Sequence, residues 1–193
     1  MRSAKSTSSE QGFSLIEVLI AVGLLTTVSL SVGQLFAIAT MANMAAKGTT
    51  SSSIIAVQKM EQLRGLTWGF NTSNELGLPL SDTTTNLSTD PPSNGGRGLN
   101  PSPPGTLDAN VSGYADFLDL DGKWLGNGTA PPPGTHFVRR WSVEPLPVNP
   151  NNTLILQVRV TTLRREARSG VLPAGTRLPD DSWLVSVKTR KSP

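Results

Sequence analysis

The sequence contains no cysteine and a single histidine, His136. Lack of cysteine excludes a disulfide framework, thiolate metal sites and cysteine nucleophiles. His136 opens a strand-like run with no second histidine in the chain to share a metal, so it reads as an ordinary strand-end residue. Charge is missing over one long interval, since no Asp, Glu, Lys or Arg occurs from Val18 to Ala46. Proline is absent before Pro79. The formal charge of +3 rests mostly on arginines in the C-terminal third. They alternate with apolar residues and form no continuous basic tract, which describes solvated strand faces better than a nucleic-acid patch. A catalytic inventory also comes up short. The GGRG run from Gly95 to Gly98 sits among prolines with no flanking strand, and the paired carboxylates of the DLDG turn suit a hairpin. Neither a general base nor a nucleophile can be assembled, so the expectation is a protein that is not an enzyme.

What is present is concentrated at the N-terminus. Residues 1–12 are polar and carry Arg2 and Lys5, and an apolar run follows with one acid, Glu17, at its head. About 20 apolar residues at 1.5 Å rise span a bilayer core, and positions 18–39 suffice. In lipid a helix is enforced because every backbone group must pair internally. Arg2 and Lys5 place the N-terminus in the cytoplasm and the remainder outside. A secretory signal cut after Ala37-Ile38-Ala39 fits an A-x-A site, but its apolar block is too long and begins with an acid. A plain uncleaved anchor explains the length and not Glu17, whose charge costs about 2.5–3.5 kcal/mol inside a membrane. A third reading uses the acid directly. Cleavage after Gly12 would make Phe13 the N-terminus, and its new ammonium would lie one helical turn from Glu17. An amine on the same or a neighbouring subunit could then neutralise the carboxylate.

The stretch GFSLIEVLIA from Gly12 to Ala21 resembles the class III signal of type IV pilins and type II secretion pseudopilins. In that pattern a glycine and a hydrophobic residue precede a glutamate inside the apolar run. The resemblance implies that a prepilin peptidase cuts between Gly12 and Phe13 and methylates the amine of Phe13. It implies that Glu17 sets register against the amine of an adjacent subunit. Partners implied are other pilins or pseudopilins, an inner-membrane assembly platform and membrane lipid. The family's usual proline in the membrane half is absent, and Gly33 could loosen the helix there.

Beyond the membrane half, positions 40–66 stay helix-compatible and become amphipathic. Ile54, Val57, Met60 and Leu63, with Ile55 alongside, predict an apolar stripe for core packing, with Lys47, Lys59, Glu61 and Arg64 elsewhere on the wheel. Thr49 to Ser53 predicts a bend, and Gly65 a C-cap. The expectation is one helix of roughly 50 residues.

Residues 67–134 hold nine prolines and eleven glycines, most densely in TDPPSNGGRGLNPSPPG from Thr89 to Gly105. Such composition predicts loop, with Trp68 and Phe70 pinning its start to the core. YADFLDLDGKWL from Tyr114 to Leu125 predicts a hairpin turning at Asp121-Gly122. DLDG invites a calcium reading, yet with Gly122 at position six of an EF-hand loop the end positions are Phe117 and Gly128, where acids are needed. Asp116, Asp119 and Asp121 are the acids that an irregular calcium site would have to use, but the stretch reads first as a hairpin turn, and no metal or cofactor is expected.

Three strands close the chain: His136–Glu144, Leu154–Leu163 and Trp183–Arg190. Their period-two patterns predict an antiparallel meander with one buried face laid over the helical stripe. Arg139 falls on the face of Phe137 and Trp141, where it would snorkel to an edge. The F-x-R-x-W strand is similar to minor pilins of the type IV pilus modification protein V group and to the minor pseudopilin I of secretion systems.

The expected architecture is therefore α+β and pilin-like: a leader at 1–12, the membrane half of a helix at 13–39, its amphipathic half at 40–66, a loop region with a hairpin at 67–134 and a small antiparallel sheet at 135–193. The expected function is that of a minor pilin, with a type II secretion pseudopilin as the alternative. A rival of another class is an exported DNA-binding or adhesive module using Arg139, Arg140, Arg159, Arg164, Arg165 and Arg168.

Overall fold

The computed structural model describes residues 12–71, 77–164 and 181–190. The leader through residue 11, Arg165 and Arg168, and the connector residues Pro173, Gly175 and Pro179 lie outside the described residues. The chain divides into two compact units between Met44 and Ala45.

The first unit consists of the N-terminal part of helix α1, Leu15–Gly65. Every residue from Gly12 to Lys47 is exposed among the described residues, and most of that surface through Met44 is apolar. Four of its hydroxyls, on Thr26, Thr27, Ser31 and Thr40, bond back to helix carbonyls. Thr27 donates to Gly23 O at 2.8 Å, Ser31 to Thr27 O at 2.9 Å and Thr40 to Phe36 O at 2.8 Å. Back-bonding of this kind lets hydroxyl groups lie in an apolar environment without an open donor.

The second unit packs the C-terminal end of α1 against a five-stranded antiparallel sheet. Helix α1 is continuous through Thr49 to Ser53, where a bend was expected. The hydroxyls of Thr49 and Thr50 bond to the carbonyls of Ala45 and Ala46 instead of competing with the helical ladder. Two short ribbons follow the helix: β1 (Trp68–Phe70) pairs with β2 (Pro79–Ser81), and β3 (Thr85–Asn86) with β4 (Ser93–Asn94). The main sheet has the order β6-β5-β7-β8-β9, with β5 Ala115–Leu118, β6 Trp124–Asn127, β7 Phe137–Pro145, β8 Thr153–Thr162 and β9 Ser182–Thr189. The three C-terminal strands form the expected meander, each within one residue of the expected start. The hairpin is also as expected, with Gly122 at φ +80° closing its turn. It is not an appendage of a loop region, however. β5 pairs with β7, so the sheet has five strands rather than three.

The helical stripe is rotated from the sequence expectation. The buried residues of α1 are Ser52, Ile55, Ala56, Lys59, Met60 and Leu63, whereas Ile54 and Val57 are 65% and 49% exposed. The reason is geometric. At 3.6 residues per turn a strict spacing of three drifts by about 60° per step, and Ile54 ends up on the opposite side from Leu63. The buried set follows the i, i+3, i+4, i+7 pattern that keeps one face. Ile55, Ala56, Met60 and Leu63 join Tyr114, Leu118, Phe137, Trp141, Val143, Leu156 and Val158 in the core, with Trp68 packed against it. Trp68 is held from outside by Arg190, whose guanidinium carbon lies 3.6 Å from the ring centroid.

The sheet is also buried on both faces, not one. Ala115, Phe117 and Val138 are fully buried on the face away from the helix, together with Arg140 and Ser142. Residues 106–110 supply their cover: Thr106 and Leu107 are buried, and Asn110 accepts from Arg140 Nε at 2.9 Å. The proline-rich middle region thus works as the second layer of the head.

Candidate functional site

The N-terminal site is built by the start of α1. Ser14 is the N-cap: its carbonyl accepts from Glu17 N at 3.0 Å and from Val18 N at 3.2 Å. Glu17 therefore occupies the third helical position, where Ser-x-x-Glu has the spacing of a capping box and an acid is favoured by the helix dipole. That spacing is readable in the sequence. Gly12 and Phe13 precede the helix and are exposed, Phe13 at 85%. Glu17 is exposed as well, on a helix whose surroundings are apolar side chains. This stretch of α1 is apolar and long enough to cross a membrane.

The candidate calcium ligands are not brought together. Asp116 points into the core, fully buried, and its carboxylate is taken by two cations. Arg139 Nε donates to Oδ1 at 2.8 Å and Arg139 Nη2 to Oδ2 at 2.7 Å, while Lys59 Nζ lies 3.0 Å from Oδ2. Asp119 instead shapes the hairpin turn, its Oδ1 accepting from the backbone N–H of Asp121 and Lys123 at 2.9 and 2.8 Å. Asp121 is exposed at the turn. Among the described residues no group of three His, Cys, Asp or Glu side chains could hold a metal ion. The reason is position: Asp116 lies within β5 and reaches Arg139 and Lys59, whereas Asp119 and Asp121 lie beyond its end in the turn.

Arg139 does not snorkel to an edge. It is held under the helix, where Nη1 also donates to Ile55 O and to Gln58 Oε1, both at 3.3 Å. Lys59, expected on the solvent side, is buried beside it, donating to Leu87 O with its ammonium 4.5 Å from the Trp141 ring centroid. Burial pulls the Lys59 pKa down to about 8, against the raising effect of Asp116 and with the help of Arg139. The cluster thus ties α1, β5, β7 and the loop at Leu87 together at one point.

The arginines named for nucleic acid are largely committed elsewhere. Arg139 is buried as described, Arg140 bonds Asn110, and Arg159 pairs with Asp108 at 2.8 Å and Asp181 at 3.2 Å. Arg164 is exposed.

A family model described as the prokaryotic N-terminal methylation motif matches residues 7–33. No curated protein and no solved structure matches the chain. The chain thus carries the class III signal of type IV pilins and pseudopilins, with Gly12, Phe13 and Glu17 inside the match. This signal supports a pilin-like substrate of prepilin peptidase that assembles with other pilins. The apolar helix beside it fits membrane anchoring.

Proposed function

We propose that the chain is a minor, non-catalytic pilin that joins a type IV pilus through its N-terminal helix, in the initiating or tip complex. The observation that carries this reading is the position of Phe13 and Glu17 inside the methylation signal, at the head of a helix whose apolar side chains are exposed among the described residues.

The leader stays in the cytoplasm, the helix crosses the inner membrane and the head stands outside. Prepilin peptidase cuts the Gly12–Phe13 peptide bond and methylates the new amine of Phe13. The processed chain waits in the membrane as a pool. On assembly, the exposed apolar residues between Phe13 and Met44 exchange lipid for neighbouring pilin helices. Close packing sets the strength of that exchange. The carboxylate of Glu17, costly in an apolar surround, is neutralised by the Phe13 amine of an adjacent subunit, and that contact fixes axial register.

The test compares sheared pili from cells expressing the wild-type chain or Glu17→Val. The wild-type chain is expected in the pilus fraction, with the variant processed but retained in the membrane. Equal incorporation of the two would refute the register contact. Absence of the wild-type chain from pili, with its recovery only alongside a type II secretion apparatus, would replace the pilus by a pseudopilus.

A further inference from the structure

A cavity of about 450 Å³ opens in the head beside β3, within the size range of small-molecule sites. Its walls include Asn86, Arg97, Ser112 and Asn127, with the Gly95-Gly96 turn between the first two. No aliphatic or aromatic side chain lines it, and Arg97 is the one charged lining residue. The guanidinium of Arg97 has no ion pair or hydrogen bond among the described residues, unlike Arg139, Arg140 and Arg159.

The wall is built rather than incidental. Ser88 anchors it: its backbone N–H and hydroxyl donate to Asn86 Oδ1 at 3.0 and 2.6 Å, and its carbonyl accepts from Trp124 Nε1 and Asn127 Nδ2, both at 3.0 Å. The amide NH₂ of Asn86 and the amide oxygen of Asn127 are left available. The turn is fixed by Gly96 N donating to Thr84 O at 2.7 Å and Gly98 N to Thr85 O at 2.8 Å. Only glycine fits at Gly96, where a Cβ would lie 2.1 Å from Asn86 Cα.

A polar wall selects its ligand. A lipid chain, an aromatic ring or an apolar peptide side chain would cover these donors without pairing them, at a desolvation cost. What fits is a molecule polar on every side, with one anionic group for the planar fork of Arg97. We infer that this cavity binds a sugar acid, its carboxylate on Arg97 and its hydroxyls on Asn86, Ser112 and Asn127. A free uronic acid and a uronate unit of a polysaccharide share this chemistry. The inference rests on the head alone and stands apart from the filament reading.

Calorimetric titration of the full chain in detergent micelles tests it, with glucuronate, a glucuronate-containing tetrasaccharide, glucose and inorganic phosphate as probes. Glucuronate or the tetrasaccharide is expected to bind, the tighter of the two naming the source, and glucose is expected to bind at least tenfold more weakly. Arg97→Gln, at an exposed position, is expected to weaken binding at least tenfold, with Ser112→Ala having a smaller effect. Three results overturn the assignment: no binding of either uronate probe, equal binding by Arg97→Gln, or phosphate binding as tightly as glucuronate, which would make the site one for an adventitious ion only.

Discussion

Asp116 and Arg139 face each other across β5 and β7 as direct register partners, joined by two hydrogen bonds of 2.8 and 2.7 Å with both side chains out of contact with water. Lys59 adds a second cation to the same carboxylate at 3.0 Å. Removing the only acid of this trio leaves two buried charges uncompensated. Asp116→Asn is therefore expected to lower stability by about 3–5 kcal/mol, the usual cost of breaking a buried pair. Lys59→Met removes the surplus cation and leaves the Asp116–Arg139 pair intact, so its loss should be less than half as large. Chemical denaturation followed by tryptophan fluorescence distinguishes the two, and equal losses would show that the cluster does not work as a charge-balanced unit.

The same cluster sets a pH dependence. Burial lowers the Lys59 pKa to about 8 in the folded head from an ordinary 10.5. Between these values the unfolded chain binds the extra proton, so stability rises as pH increases through that window and shows no Lys59 slope below it. Burial raises the Tyr114 pKa above its ordinary 10.0, which opposes the rise at higher pH. The diagnostic interval is thus pH 8 to 10, where thermal midpoints should increase in the wild-type chain and the increase should vanish in Lys59→Met.

The turn beside β3 has no room for a side chain at Gly96. Gly96→Ala must displace either the turn or Asn86, at about 1–3 kcal/mol by analogy with overpacked cores. Limited proteolysis should then cut within residues 84–100 of the variant under conditions that leave the wild-type chain whole.

The exposed apolar surface of α1 near Val28 needs lipid or another helix. Val28→Arg places a cation near the middle of that stretch, at about 2.5–3.5 kcal/mol on insertion scales. Carbonate washing of membranes should release a larger fraction of the variant than of the wild-type chain, which is expected to stay in the pellet.

How far the sequence discloses all this differs from element to element. The signal at Gly12 to Glu17 is legible because a glycine, an aromatic residue and an acid at fixed spacing stand at the head of an uncharged apolar run. The long helix and the strands at Phe137, Thr153 and Ser182 are legible because periodicity marks a buried face. The phase of the helical stripe was harder to read, since apolar side chains at Ile54 and Val57 look as good a core as Ile55 and Ala56. The i, i+3, i+4, i+7 set that keeps one face includes Lys59, which meets the buried acid at Asp116. That acid and Arg139 are 23 positions apart, and only the β5–β7 register makes them neighbours. Both fell on apolar strand faces, and two such misfits of opposite charge are the signal that could have paired them. The middle region misled by composition: its prolines and glycines shape turns that cover a sheet face and wall a cavity.

Processing as a pilin turns on the Gly12–Phe13 peptide bond, and intact-mass and N-terminal peptide mass spectrometry of the chain recovered from membranes or filaments tests it most directly. The mature protein should begin at N-methylated Phe13. A chain beginning at Thr40, after Ala37-Ile38-Ala39, would show ordinary secretion, and an uncleaved chain retaining Met1 would show a simple anchor; either would contradict processing as a pilin.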